Sequence, residues 1–538
     1  MKRRTLTVVM LLLLSLCACK TEETPVVAPS PSETAVPEPT STNPPPEPEP
    51  QELPTATSTD ELPEDNEPEE AADPLPDEVL PSREEPLEIN YLEEDGEMKT
   101  TGPWLMFKTL IGLMAVNYDG SEIASFGFPV NDRIIEWDVA SQGGVVAMVK
   151  DSFESTADNS QKWLEIRALP RNQRLYELKM LEFDGAPLSF TNQQDELDFA
   201  LDRIRAVGQL AWAHDSLTLA FVSSHEGPSP DVYSYFLQSG EVIQLTDGPS
   251  HAVGLAWSPD DAYIFHAGVE KMYTGYSGAG YSGWTFYAAA PDGSEVLTVT
   301  RGTDEIQKEE IIGWVSDTEV LMTSGYWFCG DFDLRVVNIE DGAQTMIMQA
   351  QHSYSAYDPV SQKALVWVSP DSVDTEECGP ASEPGLYLVS VPGGEVEKLE
   401  GYPEDETIYG VEWDPNTGLF LVNGSNYWQL VDPEEGVLEQ SRRPTFSPDG
   451  RWVAYQDQDG AGFTLFDAEN DRWVEVSDTG RVLHPSFSPD SSHLFYFHEQ
   501  SKEGWFSLYV IDLSNLTTSL VTEDIVSEYS DPPVWLMP

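Results

Sequence analysis

Basic residues are scarce in this chain of 538 residues. It has 28 Lys and Arg against 94 Asp and Glu, which gives a formal net charge of −66 at pH 7. A surface of that sign repels phosphate backbones and anionic lipid headgroups, so the composition argues against nucleic acid as a partner. Aromatic residues make up 11% of the chain, and they indicate that a packed core exists.

Residues that carry metal or nucleophile chemistry are also few. The eight His are scattered and never show the His-x-x-x-His spacing of zinc enzymes, so we predict no metal site and no cofactor. Ser277 and Ser282 both lack the last glycine of a Gly-x-Ser-x-Gly motif. Paired carboxylates such as Asp331 and Asp333 are the groups that a glycosidase uses, but 94 acids produce such pairs by chance. The sequence therefore predicts a protein that is not an enzyme.

The N-terminus carries an apolar run, residues 6–16, that is too short to span a bilayer. It follows Lys2, Arg3 and Arg4 and ends in Leu16-Cys17-Ala18-Cys19. This ending resembles the lipobox of bacterial lipoproteins, in which a small residue directly precedes the cysteine that becomes lipidated. The resemblance implies that residues 1–18 are a signal peptide and that Cys19 carries the lipid. A plain secretory signal is the alternative.

Residues 19–100 have a different composition from the rest of the chain. Pro, Glu, Ser and Thr dominate, as in residues 44–50, and apolar residues follow no pattern. Such a segment cannot bury enough surface to offset the entropy of ordering it. Proline and like-charge repulsion extend it to roughly 3 Å per residue. We therefore predict a disordered stalk.

From Trp104 onward the chain repeats a pattern of strands and turns, with a period of about 50 residues. The clearest copies of the first turn are Trp257-Ser258-Pro259-Asp260, Phe446-Ser447-Pro448-Asp449-Gly450 and Phe487-Ser488-Pro489-Asp490. Proline presets φ for such a turn, and Asp accepts hydrogen bonds from nearby backbone N–H groups. Four strands per unit at this period indicate a β-propeller.

The turn at residues 446–450, followed by Arg451-Trp452-Val453-Ala454-Tyr455, resembles the WD40-like (PD40) repeat of TolB-type propellers. Prolyl-oligopeptidase and dipeptidyl-peptidase propellers share this style of repeat. The resemblance implies an all-β fold, a single β-propeller of four-stranded blades over residues 101–538. The first blade lacks its first strand, which residues 533–536 would supply. We thus expect eight or nine blades, with the ring closed by the C-terminal strand and preceded by the disordered stalk.

Long connections between second and third strands emerge on one face of a propeller and offer a place for binding. Two of them, residues 268–283 and 324–332, are rich in aromatics, with Gly residues interleaved in the first. Tyr and Trp on such loops suit a saccharide or a peptide, but they also pack back under a loop. The binding residues predicted on this basis are Tyr273, Tyr276, Tyr281, Trp284, Tyr326 and Trp327.

Two further cysteines, Cys329 and Cys378, lie in equivalent loops of neighbouring repeat units. Export would place both thiols where disulfides persist, so we predict that they form a disulfide. The two cysteines would close a loop of about fifty residues. By the chain-entropy estimate, a crosslink over such a loop contributes about 4 kcal/mol to the free energy of unfolding. Two free thiols are the alternative.

Together these features lead to a hypothesis about function. We expect a binding or scaffolding lipoprotein of the cell envelope, anchored to a membrane through its lipid and facing the extracytoplasmic side. Its partner would be an envelope or extracellular protein, peptide or glycan. The alternative is a propeller-type glycan hydrolase or lyase with carboxylates in the central funnel.

Overall fold

The structure is a computed structural model. It describes residues 77–78, 80–93, 96–109, 112–127, 132–152, 161–182, 203–275, 278–301, 308–326, 330–370, 383–402, 407–424, 428–441, 443–456, 463–477, 481–499, 505–525 and 532–538.

The chain forms nine blades of four antiparallel strands each, arranged as a β-propeller. Three short strands precede the blades: β1 (Asp77–Glu78), β2 (Leu80–Arg83) and β3 (Asn90–Leu92). Blade 1 contains β4 (Trp104–Thr109), β5 (Gly112–Asn117) and β6 (Ile123–Gly127). Blade 2 contains β7 (Asp132–Val139), β8 (Val145–Ser152), β9 (Gln161–Ala168) and β10 (Gln173–Glu182). Blade 3 contains β11 (Leu210–Trp212), β12 (Thr218–Ser223), β13 (Asp231–Phe236) and β14 (Glu241–Gln244), and a helical turn at 203–206 precedes it.

Blade 4 holds six strands in sequence, because a two-stranded hairpin is inserted between its second and third blade strands. They are β15 (His251–Trp257), β16 (Ile264–Val269), the hairpin β17 (Lys271–Gly275) and β18 (Gly278–Ser282), then β19 (Thr285–Ala289) and β20 (Val296–Arg301). Blade 5 contains β21 (Lys308–Ser316), β22 (Glu319–Tyr326), β23 (Gly330–Asn338) and β24 (Gln344–His352). Blade 6 contains β25 (Tyr354–Asp358), β26 (Lys363–Val368), β27 (Gly385–Ser390) and β28 (Val396–Lys398).

The last three blades follow the same plan. Blade 7 contains β29 (Ile408–Asp414), β30 (Leu419–Gly424), β31 (Trp428–Asp432) and β32 (Gly436–Ser441). Blade 8 contains β33 (Arg443–Phe446), β34 (Trp452–Gln456), β35 (Phe463–Asp467) and β36 (Arg472–Ser477). Blade 9 contains β37 (Val482–Phe487), β38 (His493–Glu499), β39 (Phe506–Asp512) and β40 (Thr517–Ile525). The final strand, β41 (Val534–Leu536), returns to blade 1.

Ring closure joins the two ends of the propeller within blade 1. β41 pairs antiparallel with β4, with Trp104 opposite Leu536 and Met106 opposite Val534. Leu536 is fully buried. The predicted closure by the C-terminal strand is confirmed, and the blade count is nine. Closure supplies blade 1 with its inner strand and pairs the edge of β4 that would otherwise be open.

The predicted stalk boundary at residue 100 is wrong, because part of this segment pairs with the propeller. β1 runs parallel to β36, β2 to β40 and β3 to β6, so the segment follows the outer strands of blades 8, 9 and 1. The physical reason is apolar burial. Leu87 and Ile89 pack against the core between blades 9 and 1, and Leu92 is buried between blades 1 and 2. Residues 19–76 lie outside the described residues.

The repeated first turn is stabilised as its sequence predicts. In blade 9, Ser488 Oγ donates to Asp490 Oδ1 at 2.6 Å and accepts from the backbone N–H of His493 at 2.9 Å. The Asp490 carboxylate also accepts from the backbone N–H of Ser492 at 3.1 Å. Ser258 with Asp260, and Ser447 with Asp449, repeat this arrangement in blades 4 and 8. The turn thus satisfies its own polar groups and joins the first two strands of a blade.

The core lies between the facing sheets of neighbouring blades. Trp104 and Trp452 are among its largest buried side chains. Tryptophans at the ends of inner strands also bond to the preceding blade: Trp257 Nε1 donates to the Ala211 carbonyl at 2.9 Å, and Trp212 Nε1 to the Asp138 carbonyl at 3.3 Å. These bonds hold blade 4 to blade 3 and blade 3 to blade 2, which gives the loops of these blades a rigid base. Within the described ranges, no helix is long and apolar enough to cross a membrane.

Candidate binding face

One end of the propeller carries the connections between second and third strands together with the connections between blades. We call this end the long-loop face. It includes the segments 152–161, 223–231, 245–251, 269–285, 326–330 and 368–385. The opposite end carries the short Ser-Pro-Asp turns and the turns between third and fourth strands. Rigid sheets that present unequal loops on one face are a common layout for a binding surface.

The hairpin β17–β18 is the described insertion on this face. Its two strands pair from Lys271 with Ser282 to Gly275 with Gly278. The base is closed where the backbone N–H of Glu270 donates to the Gly283 carbonyl at 3.2 Å. Gly283 has a φ of +61°, a conformation that favours glycine at this position. The sequence predicts a loop over these residues; the structure shows an ordered ribbon.

The predicted aromatic residues are distributed over two blades. Tyr273 lies in β17, Tyr281 lies in β18, and Tyr326 is the last residue of β22. Tyr276 and Trp327 lie outside the described residues. The predicted loop at 324–332 is shorter than expected, because β22 continues to Tyr326 and β23 begins at Gly330.

Trp284, the last of the predicted binding residues in blade 4, belongs to the core. Its side chain is 4% exposed, and its ring centroid lies 5.2 Å from that of Phe286. Both residues pack in the cluster between blades 4 and 5. Since Trp284 has almost no accessible surface, we leave it out of the binding surface proposed below.

A cavity of about 270 Å³ lies between blades 3 and 4, beside the hairpin. Gly268, three residues before the hairpin begins, is part of its wall. The wall is formed by Asp231, Leu245, Thr246, Asp247, Gly248, Ser250, Ala252, His266, Gly268, Tyr287 and Val296. Sequence analysis missed this cavity because these residues come from five strands and a connection of two blades, so no contiguous motif marks it.

Asp231 organises one wall of the cavity. Its carboxylate accepts hydrogen bonds from Ser229 Oγ and Thr246 Oγ1, both at 2.9 Å, and from the Gly248 backbone N–H at 3.3 Å. All three donors are neutral. Burial raises the pKa of Asp231 above its usual value, and the nearby Asp247 carboxylate raises it further against the effect of the hydrogen bonds.

The opposite wall contains a histidine and an aromatic ring. His266 stacks on Tyr287 with ring centroids 5.5 Å apart, and its Nδ1 lies 3.4 Å from the Ile264 carbonyl. Burial lowers the pKa of His266 to about 4, so the imidazole is neutral at ordinary pH. A Cβ at Gly268 would lie 2.9 Å from Ser250 Oγ and 3.0 Å from the Tyr287 ring. Glycine at this position therefore keeps the cavity open.

Blade 5 carries a buried ion-pair network at the same face. Arg335 Nη1 lies 2.8 Å from both carboxylate oxygens of Asp333, and its Nη2 donates to Glu309. The backbone N–H of Ser324 donates to Asp333 at 2.7 Å. Burial raises the pKa of Glu309 to about 7, despite the opposing effect of Arg335. Asp333 is thus held by Arg335 and by backbone, which is the arrangement of a structural carboxylate.

Two exposed tyrosines near the central channel were missed by sequence analysis. Tyr354 begins the inner strand of blade 6, and Tyr409 is the second residue of the inner strand of blade 7. They are 37% and 57% exposed. A register shift between Ile408 and Gly410 marks a β-bulge at Tyr409, and bulges re-aim side chains. A repeat pattern without structural register does not reveal such a bulge.

The cysteine predictions fall outside the described part of the chain. This holds for Cys19, the predicted lipidation site, and for Cys329 and Cys378, the predicted disulfide. Among the described residues, no three His, Cys, Asp or Glu side chains come together in a way that could hold a metal ion.

Several solved structures resemble this chain in fold. The β-propeller domain of the Trilobed protease from Pyrococcus furiosus is 13% identical with a TM-score of 0.37, covering 75% of this chain and 98% of that chain. Dipeptidyl peptidase 4 from Porphyromonas gingivalis is 11% identical with a TM-score of 0.44, covering 82% and 62%. TolB from Acinetobacter baumannii is 13% identical with a TM-score of 0.26, covering 73% and 83%.

At these identities the similarity concerns the fold alone. No protein-family model and no curated protein matches the chain. The propeller implied by the sequence repeat is confirmed, whereas membership of the PD40 repeat family stays a prediction.

Proposed function

We propose that this protein is a membrane-anchored binding or scaffolding lipoprotein that recognises an envelope or extracellular protein, peptide or glycan through its long-loop face. The observation that carries the proposal is a cavity between blades 3 and 4 whose lining includes Gly268, three residues before the hairpin β17–β18 begins. A hairpin insertion on the same face as a concave pocket offers both contact area and a specific subsite. Both rest on blades that bond to their neighbours, so the surface is preorganised for binding.

Binding is favoured over catalysis by the state of the carboxylates on this face. Asp333 is engaged by Arg335, and Asp231 is engaged by three neutral donors. A general acid or base must exchange a proton with its substrate. The ion pair with Arg335 holds Asp333 as a structural carboxylate, and the three neutral donors fix Asp231 in the cavity wall. The side chain of Asp331, the second carboxylate of the pair with Asp333, lies outside what the structure describes.

The anchor part of the proposal rests on the sequence of residues 16–19. If Cys19 carries the lipid, Cys19→Ser should release the protein from membranes or block removal of residues 1–18. Detergent phase partitioning of cells expressing each form measures this directly. Cys17→Ser is the matched control, because Cys17 has Leu16 rather than a small residue before it. An unchanged membrane fraction for Cys19→Ser would contradict the lipid anchor.

The binding part is tested by site-specific photo-crosslinking on the full-length protein in its own envelope. A photo-reactive amino acid is placed at Tyr273 or Tyr281 of the hairpin, and in separate chains at Asp317. Asp317 lies in the exposed turn between β21 and β22 on the opposite face. We expect discrete adducts from the two hairpin positions and none from Asp317. Equal labelling from both faces would contradict recognition through the long-loop face.

A further inference from the structure

We infer that the cavity between blades 3 and 4 binds a primary ammonium group carried on an aliphatic stem. This inference deepens the proposed function and rests on it, because it names the chemistry that the long-loop face recognises. It follows from the charge, the lining and the size of the cavity.

The charge of the cavity wall has one sign. Asp231 and Asp247 both line it, and Lys and Arg are absent from the lining residues. In the described part of the chain, neither carboxylate forms an ion pair. Two adjacent carboxylates with only neutral donors attract a cation, and an ammonium group supplies three N–H donors to them. The same charge repels a carboxylate or a phosphate.

The rest of the lining fits an organic cation better than a metal ion. Leu245, Ala252 and Val296 supply apolar surface for an aliphatic stem. The Tyr287 ring adds an aromatic π-system beside the carboxylates, which also favours a cation. Neutral His266 stacks on that ring and contributes no competing positive charge at ordinary pH.

The size of the cavity limits the ligand. Its volume of about 270 Å³ falls just below the range of roughly 300–1,000 Å³ found for drug-sized ligands. This volume matches one amino-acid side chain or a small amine. An extended lysine side chain of a bound peptide and a free alkylamine share the required chemistry.

The test is isothermal titration calorimetry of the full-length protein with small probes. The probes are Nα-acetyl-lysine amide, the same compound acetylated at Nε, and n-butylammonium. We expect the lysine derivative to bind and its neutral Nε-acetylated form to lose at least about tenfold in affinity, because charge-assisted bonds are lost. If n-butylammonium binds as well as the lysine derivative, the source is a free amine; if it binds less well, the source is a peptide side chain. Equal binding of the charged and neutral lysine derivatives, or no binding of either amine, would overturn the inference.

Two variants assign the binding to this cavity. Asp247 is exposed, and its side chain forms no hydrogen bond or ion pair with another described residue. Asp247→Asn should therefore weaken amine binding about fivefold while the protein stays folded. Gly268→Ala should weaken it as well, because a Cβ would press on Ser250 and Tyr287. Asp317→Asn removes the same charge on the opposite face and should leave binding unchanged. Amine affinity that is insensitive to both cavity variants would place the amine elsewhere.

Failure of this inference is distinguishable from failure of the proposed function. Crosslinking from Tyr273 and Tyr281 reports on the face as a whole and does not require an amine. Adducts from the hairpin without amine binding would leave the binding face intact and exclude the ammonium subsite. Amine binding without adducts would support the ammonium subsite and contradict recognition through the hairpin.

Discussion

Burial changes the chemistry of several individual side chains, and His266 illustrates the effect most simply. It is fully enclosed, and burial lowers its pKa to about 4 from a reference value of 6.5. His251, on the first strand of the same blade, has its pKa lowered to about 4 by burial and by Arg203. Both residues are therefore neutral in the folded protein under conditions in which an unfolded chain would begin to protonate them.

The consequence is a loss of stability in mild acid. Between pH 6.5 and pH 4 the unfolded state binds protons at these histidines and the folded state does not, so the free energy of unfolding falls as the pH falls. His266→Gln should flatten this dependence by up to about 3 kcal/mol across the window. Urea midpoints measured from pH 7 to pH 4 provide the test.

The control for this measurement is His214→Gln. The His214 side chain is largely exposed, on the turn between β11 and β12, where it contacts Asp261. This variant measures what the loss of a surface imidazole alone does to the acid dependence, and the slope of His266→Gln is compared with it. A His266→Gln protein with the same slope as the natural one would show that this imidazole does not stay neutral in the fold.

Residue-level prediction from sequence succeeded where the local chain determines geometry. The Ser-Pro-Asp turns, such as the one at Ser488 and Asp490, depend on residues adjacent in sequence, and they form as predicted. Trp284 depends on tertiary packing instead. Its Gly-rich neighbourhood predicts an exposed aromatic, whereas the packing of blade 4 against blade 5 buries it.

At the scale of elements, the closing strand β41 connects the two ends of the ring. Its Leu536 is fully buried, whereas Val534 in the same strand is 39% exposed. The backbone N–H of Gly144 in blade 2 also donates to the Met537 carbonyl at 2.7 Å. A few C-terminal residues thus join blades 1 and 2.

The difference in burial between Leu536 and Val534 predicts that replacing each by alanine lowers the free energy of unfolding by a different amount. Leu536→Ala should destabilise the propeller by about 3 kcal/mol, because it removes a fully buried side chain and leaves a cavity. Val534→Ala, the matched control, should cost well under half of that value since its side chain is partly solvated. Chemical denaturation followed by tryptophan fluorescence compares them. Equal costs would contradict the assignment of β41 as the buried closing strand.

The elements that sequence analysis found are those marked by turns. The four-stranded units and the closing strand carry turn residues and apolar runs, and both are confirmed. The outer strands β1–β3 were missed because they pair with blade strands that are distant in sequence. The hairpin β17–β18 was missed because its Gly-rich sequence predicts a loop. In β3 and just before it, Leu87, Ile89 and Leu92 look unpatterned until the surfaces of blades 1 and 9 are known.

For the whole molecule, charge and architecture support one role. A net charge of −66 keeps the surface away from polyanions, and it favours partners that carry positive groups. The long-loop face offers carboxylates in a cavity and carries the hairpin insertion β17–β18. Composition alone predicted the exclusion of nucleic acid as a partner; the location of the cavity required the juxtaposition of blades 3 and 4.

The central claim is that the long-loop face binds the partner, and removal of the hairpin tests it most directly. Glu270 and Gly283 are already bonded at the base, so residues 271–282 can be replaced by about two glycines without opening blade 4. The control replaces Ser239 by glycine in the turn between β13 and β14 on the opposite face. Circular dichroism and thermal melting establish that both proteins keep the all-β fold. Binding is then measured by co-sedimentation of each protein, without its lipid, with the isolated cell envelope. The account predicts that the hairpin replacement loses most of the bound fraction and the control retains it; full binding by the protein without its hairpin would contradict the account.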